Sequence, residues 1–236
     1  MRFLSKLALG ILAITLLWYI VEPVYTYRFR LTIEADTPSG PRSGSSVIEV
    51  RSYDTNVGFI EMRGRHARVI GEAAFADLGQ GKNVIALLAG GEHAQGVDLF
   101  RELVRLVFED ELKPHGYSLA AMANLRGKKR IAPHLIPTLA TFSNLKDPKT
   151  ARIVAPDAFD GAFGAGYTFR QATLEMVPAG WWPLNTIGIT GTPITRGIEK
   201  KLLWWDQPGR PAVAAWKALV ADNVVGSIGP ETLFKE

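Results

Sequence analysis

An uncharged apolar run near the N-terminus constrains this chain more than any other feature of its sequence. Residues 7–21 carry no charge, and they follow Arg2 and Lys6 and precede Glu22. A membrane-spanning helix needs roughly 20 apolar residues, and the neighbours of the run, with a snorkelling Lys6, extend it to that length. Basic residues before a span favour a cytoplasmic N-terminus. The sequence therefore predicts that residues 1–26 form an uncleaved single-pass anchor, with the remainder on the far side of the membrane.

Aromatic residues crowd the far end of the run, where tryptophan and tyrosine are enriched at membrane interfaces. The predicted membrane-interface residues are Trp18, Tyr19, Tyr25 and Tyr27. Two alternatives stay open, a cleaved signal peptide and a buried core helix. The basic start and the short run fit a signal peptide, but no small residues of an A-x-A-like cleavage site follow Leu17. Arg28 and Arg30 lie just beyond the run and weaken the charge contrast that sets orientation.

Length and composition indicate one domain behind the anchor. The 236 residues suit an anchor and a domain of about 200 residues, which we place at residues 27–223, with a loose tail at 224–236. A formal charge of +4 is too small to favour a nucleic-acid partner. The chain has no cysteine, which excludes disulfides, thiol nucleophiles and cysteine-based zinc sites.

The pattern of the domain predicts an α+β fold with a mainly antiparallel sheet and two or three packed helices. Apolar residues alternate strictly over 27–34, which indicates a half-buried strand, and 46–53 resumes the pattern after a turn-rich loop, which indicates a hairpin. Further strands are predicted at 58–62, 67–78, 83–88, 136–142, 151–154, 167–176 and 186–190. Helices are predicted at 97–108, 157–163, 195–204 and 212–221, the third of these short.

Several motifs spread over most of the chain share one likeness. They are Pro137-Thr-Leu-Ala-Thr-Phe, Asp147-Pro-Lys-Thr, Val154-Ala-Pro-Asp-Ala-Phe, Phe163-Gly-Ala-Gly and Gly197-Ile-Glu-Lys-Lys-Leu, with Arg30-Leu-Thr-Ile-Glu and Gly44-Ser-Ser-Val-Ile-Glu-Val in the hairpin. The chain thereby resembles an uncharacterised family of proteobacterial single-pass membrane-anchored proteins. The resemblance implies a bacterial source and an anchor, hence an inner-membrane protein with a periplasmic domain, and it supplies no catalytic residue. The chain departs from the family at Trp181-Trp182 and after Trp205.

Candidate chemical residues are few. Oxygen ligands from Asp147, Asp157 and Asp160 could hold a hard cation, although a turn at Asp147 and a helix cap at Asp157 explain both residue types without metal. Four histidines are scattered without paired zinc-ligand spacing: His66, His93, His115 and His134. No Gly-x-Ser-x-Gly occurs, so we predict no catalytic residue and no cofactor.

Two features favour binding. A basic run, Arg126, Lys128, Lys129 and Arg130, could meet anionic lipid headgroups if it returns to the membrane, or could form a solvated loop. Two tandem pairs, Trp181, Trp182, Trp204 and Trp205, indicate a docking surface or a bilayer contact, while core packing could explain one tryptophan of each pair.

These features predict an accessory protein of the cell envelope that binds the bilayer and a protein partner, or helps to assemble a membrane complex. An extracytoplasmic hydrolase, metal-assisted or serine-type, and a small structural subunit of a larger membrane complex are the alternatives. A pocket with converging Asp, His or Ser side chains would favour catalysis, whereas an exposed tryptophan and aliphatic patch would favour a partner.

Overall fold

Two antiparallel sheets form the frame of the domain. The computed structural model describes residues 10, 24–55, 64–90, 100, 102–181, 183–221 and 232–235. Sheet 1 has five strands in the order β3-β2-β1-β9-β6, and sheet 2 has four in the order β4-β5-β7-β8. The strands are β1 Tyr25–Thr37, β2 Gly40–Thr55, β3 Gly64–Ile70, β4 Ala74–Gly79, β5 Lys82–Gly90, β6 Gly127–Arg130, β7 Pro137–Phe142, β8 Ala151–Ile153 and β9 Thr168–Val177.

Of the α-helices that the structure describes, four lie between strands in the sequence and the fifth follows the last strand. They are α1 Leu103–Val107, α2 Glu109–Leu112, α3 Leu119–Asn124, α4 Phe159–Phe163 and α5 Pro211–Ala221. Helix α3 begins where the Ser118 side chain accepts a hydrogen bond from the Ala121 amide at 3.3 Å, which satisfies one of the unpaired amides of a helix start. The α+β class with mainly antiparallel sheets and few helices is thus confirmed.

The larger core lies between the two sheets. The inward residues of β1, Tyr27, Phe29, Leu31 and Ile33, are all buried and belong to one cluster with residues from β5 and α1. This is the face that the alternation of residues 27–34 predicted as apolar. Because a sheet must bury its apolar face against another element, the two sheets stack through these side chains.

A second core covers the opposite face of sheet 2. Ile85 and Leu87 of β5 pack there with Trp204, with α5 and with Phe234 near the C-terminus. Strand β5 is therefore buried on both faces, which explains its unbroken apolar sequence. The tail predicted as loose is packed at its end, because Leu233 and Phe234 are fully buried.

Several local predictions are corrected. Thr37 pairs with Gly40, so the loop predicted after residue 36 is a two-residue turn, made possible by the positive φ of Gly40. Residues 67–78 form parts of two strands, β3 and β4, instead of one. Residues 186–190 form turns and bends, and 195–204 contain a single 3₁₀ turn, Ile198–Lys200, instead of an α-helix. The predicted strand at 58–62 lies outside the described residues.

The predicted anchor also lies almost wholly outside the described residues. Gly10 and residues 24–26 are the exceptions, and the last two of these already belong to β1. Within the described part of the chain, none of the helices has the length and apolar character needed to cross a bilayer.

Candidate interaction surface

Residues 178–192 follow β9 and are called the apolar loop below. Its two arms meet at the base, where the Thr192 amide donates to the Pro178 carbonyl at 2.8 Å. One step further out the arms approach so closely that a Cβ added to Gly180 would lie 2.5 Å from the Thr190 carbonyl oxygen. The Trp181 amide donates to the Thr190 hydroxyl at 3.0 Å. The base of the loop is therefore a closed, hydrogen-bonded structure.

Large apolar side chains of this loop point into solvent. The exposed fractions are 77% for Trp181, 69% for Ile187, 67% for Ile189 and 38% for Leu184. Exposed apolar residues scattered singly are ordinary, but a group of them on one loop marks an interaction surface. Trp182, the other member of the predicted pair, lies outside the described residues.

A buried ion pair lies beneath the base of the apolar loop. Arg28 on β1 and Glu49 on β2 are 2% and 0% exposed, and the Arg28 Nε donates to Glu49 Oε2 at 2.7 Å. Glu49 Oε1 accepts a second hydrogen bond from Arg51 Nε at 2.7 Å. The Arg28 Nη1 reaches over to the Thr192 carbonyl at 2.7 Å. This network joins the outer face of sheet 1 to the base of the apolar loop.

The chain continues along the edge of β2 after leaving the apolar loop. The Thr195 amide donates to the Val47 carbonyl at 3.1 Å, and the Val47 amide donates to the Thr195 hydroxyl at 2.8 Å. These two bonds satisfy backbone groups of β2 beyond the end of β3, which pairs with residues 49–55. Both ends of the loop are therefore fixed to sheet 1, by β9 before it and by β2 after it.

The apolar loop lies at the end of sheet 1 where β1 begins. Because the strands are antiparallel, β2 and β9 finish at this end and β6 starts there, and we call it the proximal end. A cavity of about 450 Å³ at this end is lined by Thr26, Arg126 and Trp181, among others. The first residues of β1, the basic run and the apolar loop are therefore neighbours.

Exposed apolar side chains concentrate at the proximal end. Eight large apolar residues are exposed in the described part of the chain, and six of them belong to segments at this end: Val24, Tyr53, Trp181, Leu184, Ile187 and Ile189. The other two, Leu203 and Val220, belong to the segments that form the second core, which we call the layer over sheet 2. This unequal distribution singles out the proximal end as the candidate interaction surface.

The basic run is divided between the two faces of β6. Lys128 and Arg130 are exposed, and Arg126, just before the strand, is exposed too. Lys129 faces the other way, with its Nζ 2.7 Å from Glu111 Oε2. The hydrogen bond from Lys129 holds the pKa of Glu111 below its usual value. Three of the four predicted headgroup ligands thus remain accessible.

Two predicted surface residues are instead core residues. Tyr27, predicted at the membrane interface, is buried on the inward face of β1 beside Phe29, because its position in the alternation faces sheet 2. Trp204 is fully buried, and its ring lies 5.3 Å from Trp205 and 5.6 Å from Phe234, centroid to centroid. Core packing therefore explains Trp204, while Trp205 is partly buried and Tyr25 half-buried. Trp18 and Tyr19 lie outside the described residues.

The structure does not bring the three candidate metal ligands, Asp147, Asp157 and Asp160, into one group, and two of them have local roles. Asp147 accepts a hydrogen bond from the Lys149 amide at 3.0 Å and so begins the 3₁₀ turn Pro148–Thr150, as the turn interpretation predicted. Asp160 accepts from the Gly161 amide at 2.8 Å. Helix α4 starts without a side-chain cap, so Asp157 is not the predicted cap. No group of three or more metal-ligating side chains occurs among the residues that the structure describes.

A cavity of about 520 Å³ opens beside β7 and β8. A hydrolase would need Asp, His or Ser side chains that converge in such a cavity. Its described lining is mostly proline and aliphatic, and His134 and Asp157 are the titratable side chains in it. Both of these side chains are exposed. Of the other histidines, His66 stacks on Tyr53 at 5.3 Å between ring centroids, at the proximal end, and His93 lies outside the described residues.

Sequence reasoning missed the Arg28, Glu49 and Arg51 network. All three residues stand on the polar side of the alternation, where the pattern assigns them to solvent. The sequence feature that could have revealed this network is the opposite charge of Arg28 and Glu49, which stand at directly paired positions of the predicted hairpin.

Comparisons with known proteins found no matching family model, no matching curated protein and no matching solved structure.

Proposed function

We propose that the protein is a membrane-anchored accessory protein of the bacterial cell envelope that binds a protein partner and supports assembly of a membrane complex. The observation that carries the proposal is the concentration of exposed apolar side chains at the proximal end of sheet 1. Surfaces of this kind are buried in the functional state of a protein, because leaving them in water costs free energy.

The geometry of the chain supports a membrane location for this surface. Strand β1 begins at Tyr25, and the predicted anchor ends at residue 26, so no linker separates the two. The proximal end would then lie close to the bilayer surface. A partner that reaches this end would itself be a membrane protein or lie against the membrane.

The charges of the same end are compatible with this location. Arg126 and Lys128 are exposed beside the apolar loop, and basic residues near an anionic surface gain about 1 kcal/mol each. Apolar groups with a basic rim are typical of proteins that work against a membrane.

The test is affinity purification of the full-length protein from native membranes in mild detergent, followed by mass spectrometry. The test variant carries Trp181→Ala, Ile187→Ser and Ile189→Ser. The matched control carries Leu203→Ser and Val220→Ser, which alter exposed apolar residues of the layer over sheet 2. All five side chains are exposed, so both variants are expected to keep the wild-type fold.

We expect a stoichiometric partner with the wild-type protein and with the control, and loss of that partner with the apolar-loop variant. A wild-type protein that comes through purification alone would contradict the proposed function. A partner retained equally by all three proteins would contradict the assignment of the surface to the proximal end.

A further inference from the structure

Exposed tryptophan and isoleucine side chains at the proximal end need an occupant, and the structure indicates which one. We infer that the tip of the apolar loop, which carries Trp181, Ile187 and Ile189, inserts into the interfacial layer of the same bilayer that holds the predicted anchor. The domain then has two contacts with the membrane and a fixed orientation on its surface. This inference rests on the membrane attachment in the proposed function. It assigns the tip of the loop to lipid, and the protein partner then depends on the loop through the orientation that the inserted tip gives to the domain.

The side chains of the loop suit the bilayer interface. The Trp181 indole combines an apolar ring with one N–H donor, and tryptophan is the residue most at home at the headgroup level. Ile187 and Ile189 are more than half exposed and carry no polar group that the acyl boundary would have to desolvate. No charged residue lies between Trp181 and Thr192 in the sequence. The tip can therefore enter the interface without burying a charge.

The hydrogen bonds at the base hold the tip in place before it meets the membrane. The buried Arg28 donates to the Thr192 carbonyl, and Thr192 in turn donates to Pro178. The close approach of Gly180 and Gly191 leaves no room for a side chain between the arms. Ordering a flexible loop opposes binding, and a loop that is already ordered avoids that cost.

Basic residues lie beside the apolar loop, where lipid headgroups would surround an inserted tip. Arg126 lines the same cavity as Trp181 and Thr26, and Lys128 follows it on the exposed face of β6. Anionic headgroups beside an inserted indole would meet these cations, which adds attraction limited to about one Debye length. The same end thus offers apolar groups for the acyl boundary and cations for the phosphate layer.

The start of β1 favours the bilayer over a second copy of the chain as the occupant. Thr26, within the predicted anchor boundary, lines the same cavity as Trp181. A tip this close to the anchor meets lipid before it can meet the apolar loop of another copy. Packing of the tip against a second copy, or against the chain's own N-terminal segment, remains a distinct outcome of the experiment.

The absence of cysteine allows a direct test with single-cysteine variants of the full-length protein. Ile187→Cys reports on the tip, Leu203→Cys on an exposed apolar site in the layer over sheet 2, and Ala13→Cys on the predicted anchor. Each variant is spin-labelled and reconstituted into vesicles of phosphatidylcholine with a minority of phosphatidylglycerol. Collision of the label with oxygen, which concentrates in the bilayer, is compared with collision with a water-soluble nickel complex. Circular dichroism of each labelled protein checks that the fold is kept.

The expected result is loss of nickel collisions with gain of oxygen collisions at positions 13 and 187, and free nickel access at position 203. Nickel access at 187 with bilayer signals at 13 would overturn the inference and leave the membrane attachment intact. A label at 187 that neither reagent reaches would place the tip against protein and would also overturn it. Nickel access at position 13 would remove the attachment itself, and the inference with it.

Discussion

Removal of Glu49 should destabilise the domain far more than removal of an exposed ion pair of the same sheet. Arg28 is 2% exposed, so Glu49→Ala leaves its guanidinium buried without a counter-charge. Breaking a buried pair in this way costs about 3–5 kcal/mol. For a domain of about 200 residues each kcal/mol lowers the melting temperature by roughly 2–4 °C, so we expect a fall of about 6–20 °C.

The control is Arg30→Ala, two residues along β1. Arg30 pairs with Glu175 at 2.7 Å, but both side chains are more than one third exposed, and solvent screening limits such pairs to below about 1 kcal/mol. Thermal unfolding of full-length wild type and both variants in one detergent, followed by far-ultraviolet circular dichroism, gives the comparison. Equal melting temperatures for Glu49→Ala and Arg30→Ala would refute the reasoning from burial.

Three further predictions concern the core, a close backbone contact and pH. Trp204→Ala should cost about 3–5 kcal/mol in urea unfolding, because the ring is fully buried. Gly44→Ala should cost about 1–3 kcal/mol in the same assay, because its Cβ would fall 2.1 Å from the Phe75 carbonyl oxygen; a wild-type midpoint would contradict this contact. The hydrogen bond from Lys129 lowers the folded pKa of Glu111, so its contribution to stability is present above the unfolded pKa and is lost as pH falls through the folded pKa. Glu111→Gln should flatten the melting temperature against pH in that window, and an unchanged curve would contradict the assignment.

Local pattern predicted which faces of strands β1 and β5 are buried. The alternation over residues 27–34 fixed the inward face of β1, and the unbroken apolar run of β5 indicated burial on both sides. These signals lie within the strands themselves. They depend on no residue distant in sequence, and for that reason the structure agrees with the predictions made from them.

Predictions failed where the environment comes from elsewhere in the chain. Arg28 reads as a solvent-facing residue of β1, yet its guanidinium is covered by Thr192, which is 164 residues away in sequence. Residues 186–190 alternate like a strand, but they form turns and bends, with a positive φ at Gly188, and they pair with none of the strands that the structure describes. Strand propensity records how well side chains fit a sheet, and it cannot supply the partner strand.

The sequence predicted single residues of the candidate surface, but it did not predict which residues the fold brings together there. Val24, Tyr53, Leu184, Ile187 and Ile189 were not predicted as surface residues. Trp181 and Arg126 were singled out separately, 55 positions apart, and antiparallel pairing of β6 and β9 is what brings them to one cavity. Trp204 carried the same sequence signal as Trp181 and belongs to the second core. A tandem tryptophan pair therefore indicates that its side chains are buried in the functional state. The fold determines whether the protein's own core or another molecule buries them.

The buried ion pair connects the stability of the domain to its candidate surface. Replacing a buried pair with apolar residues of similar volume is often neutral or stabilising, so stability alone does not explain why charges occupy these positions. The Arg28 guanidinium does what no apolar side chain could do, since it binds Glu49 and the Thr192 carbonyl at the same time. A hydrogen bond of defined direction fixes the base of the apolar loop on sheet 1. The close contact of Gly180 and Gly191 also holds the two arms together next to the base. The position of Trp181 beside the start of β1 is thereby set by the sheet rather than left to a mobile loop.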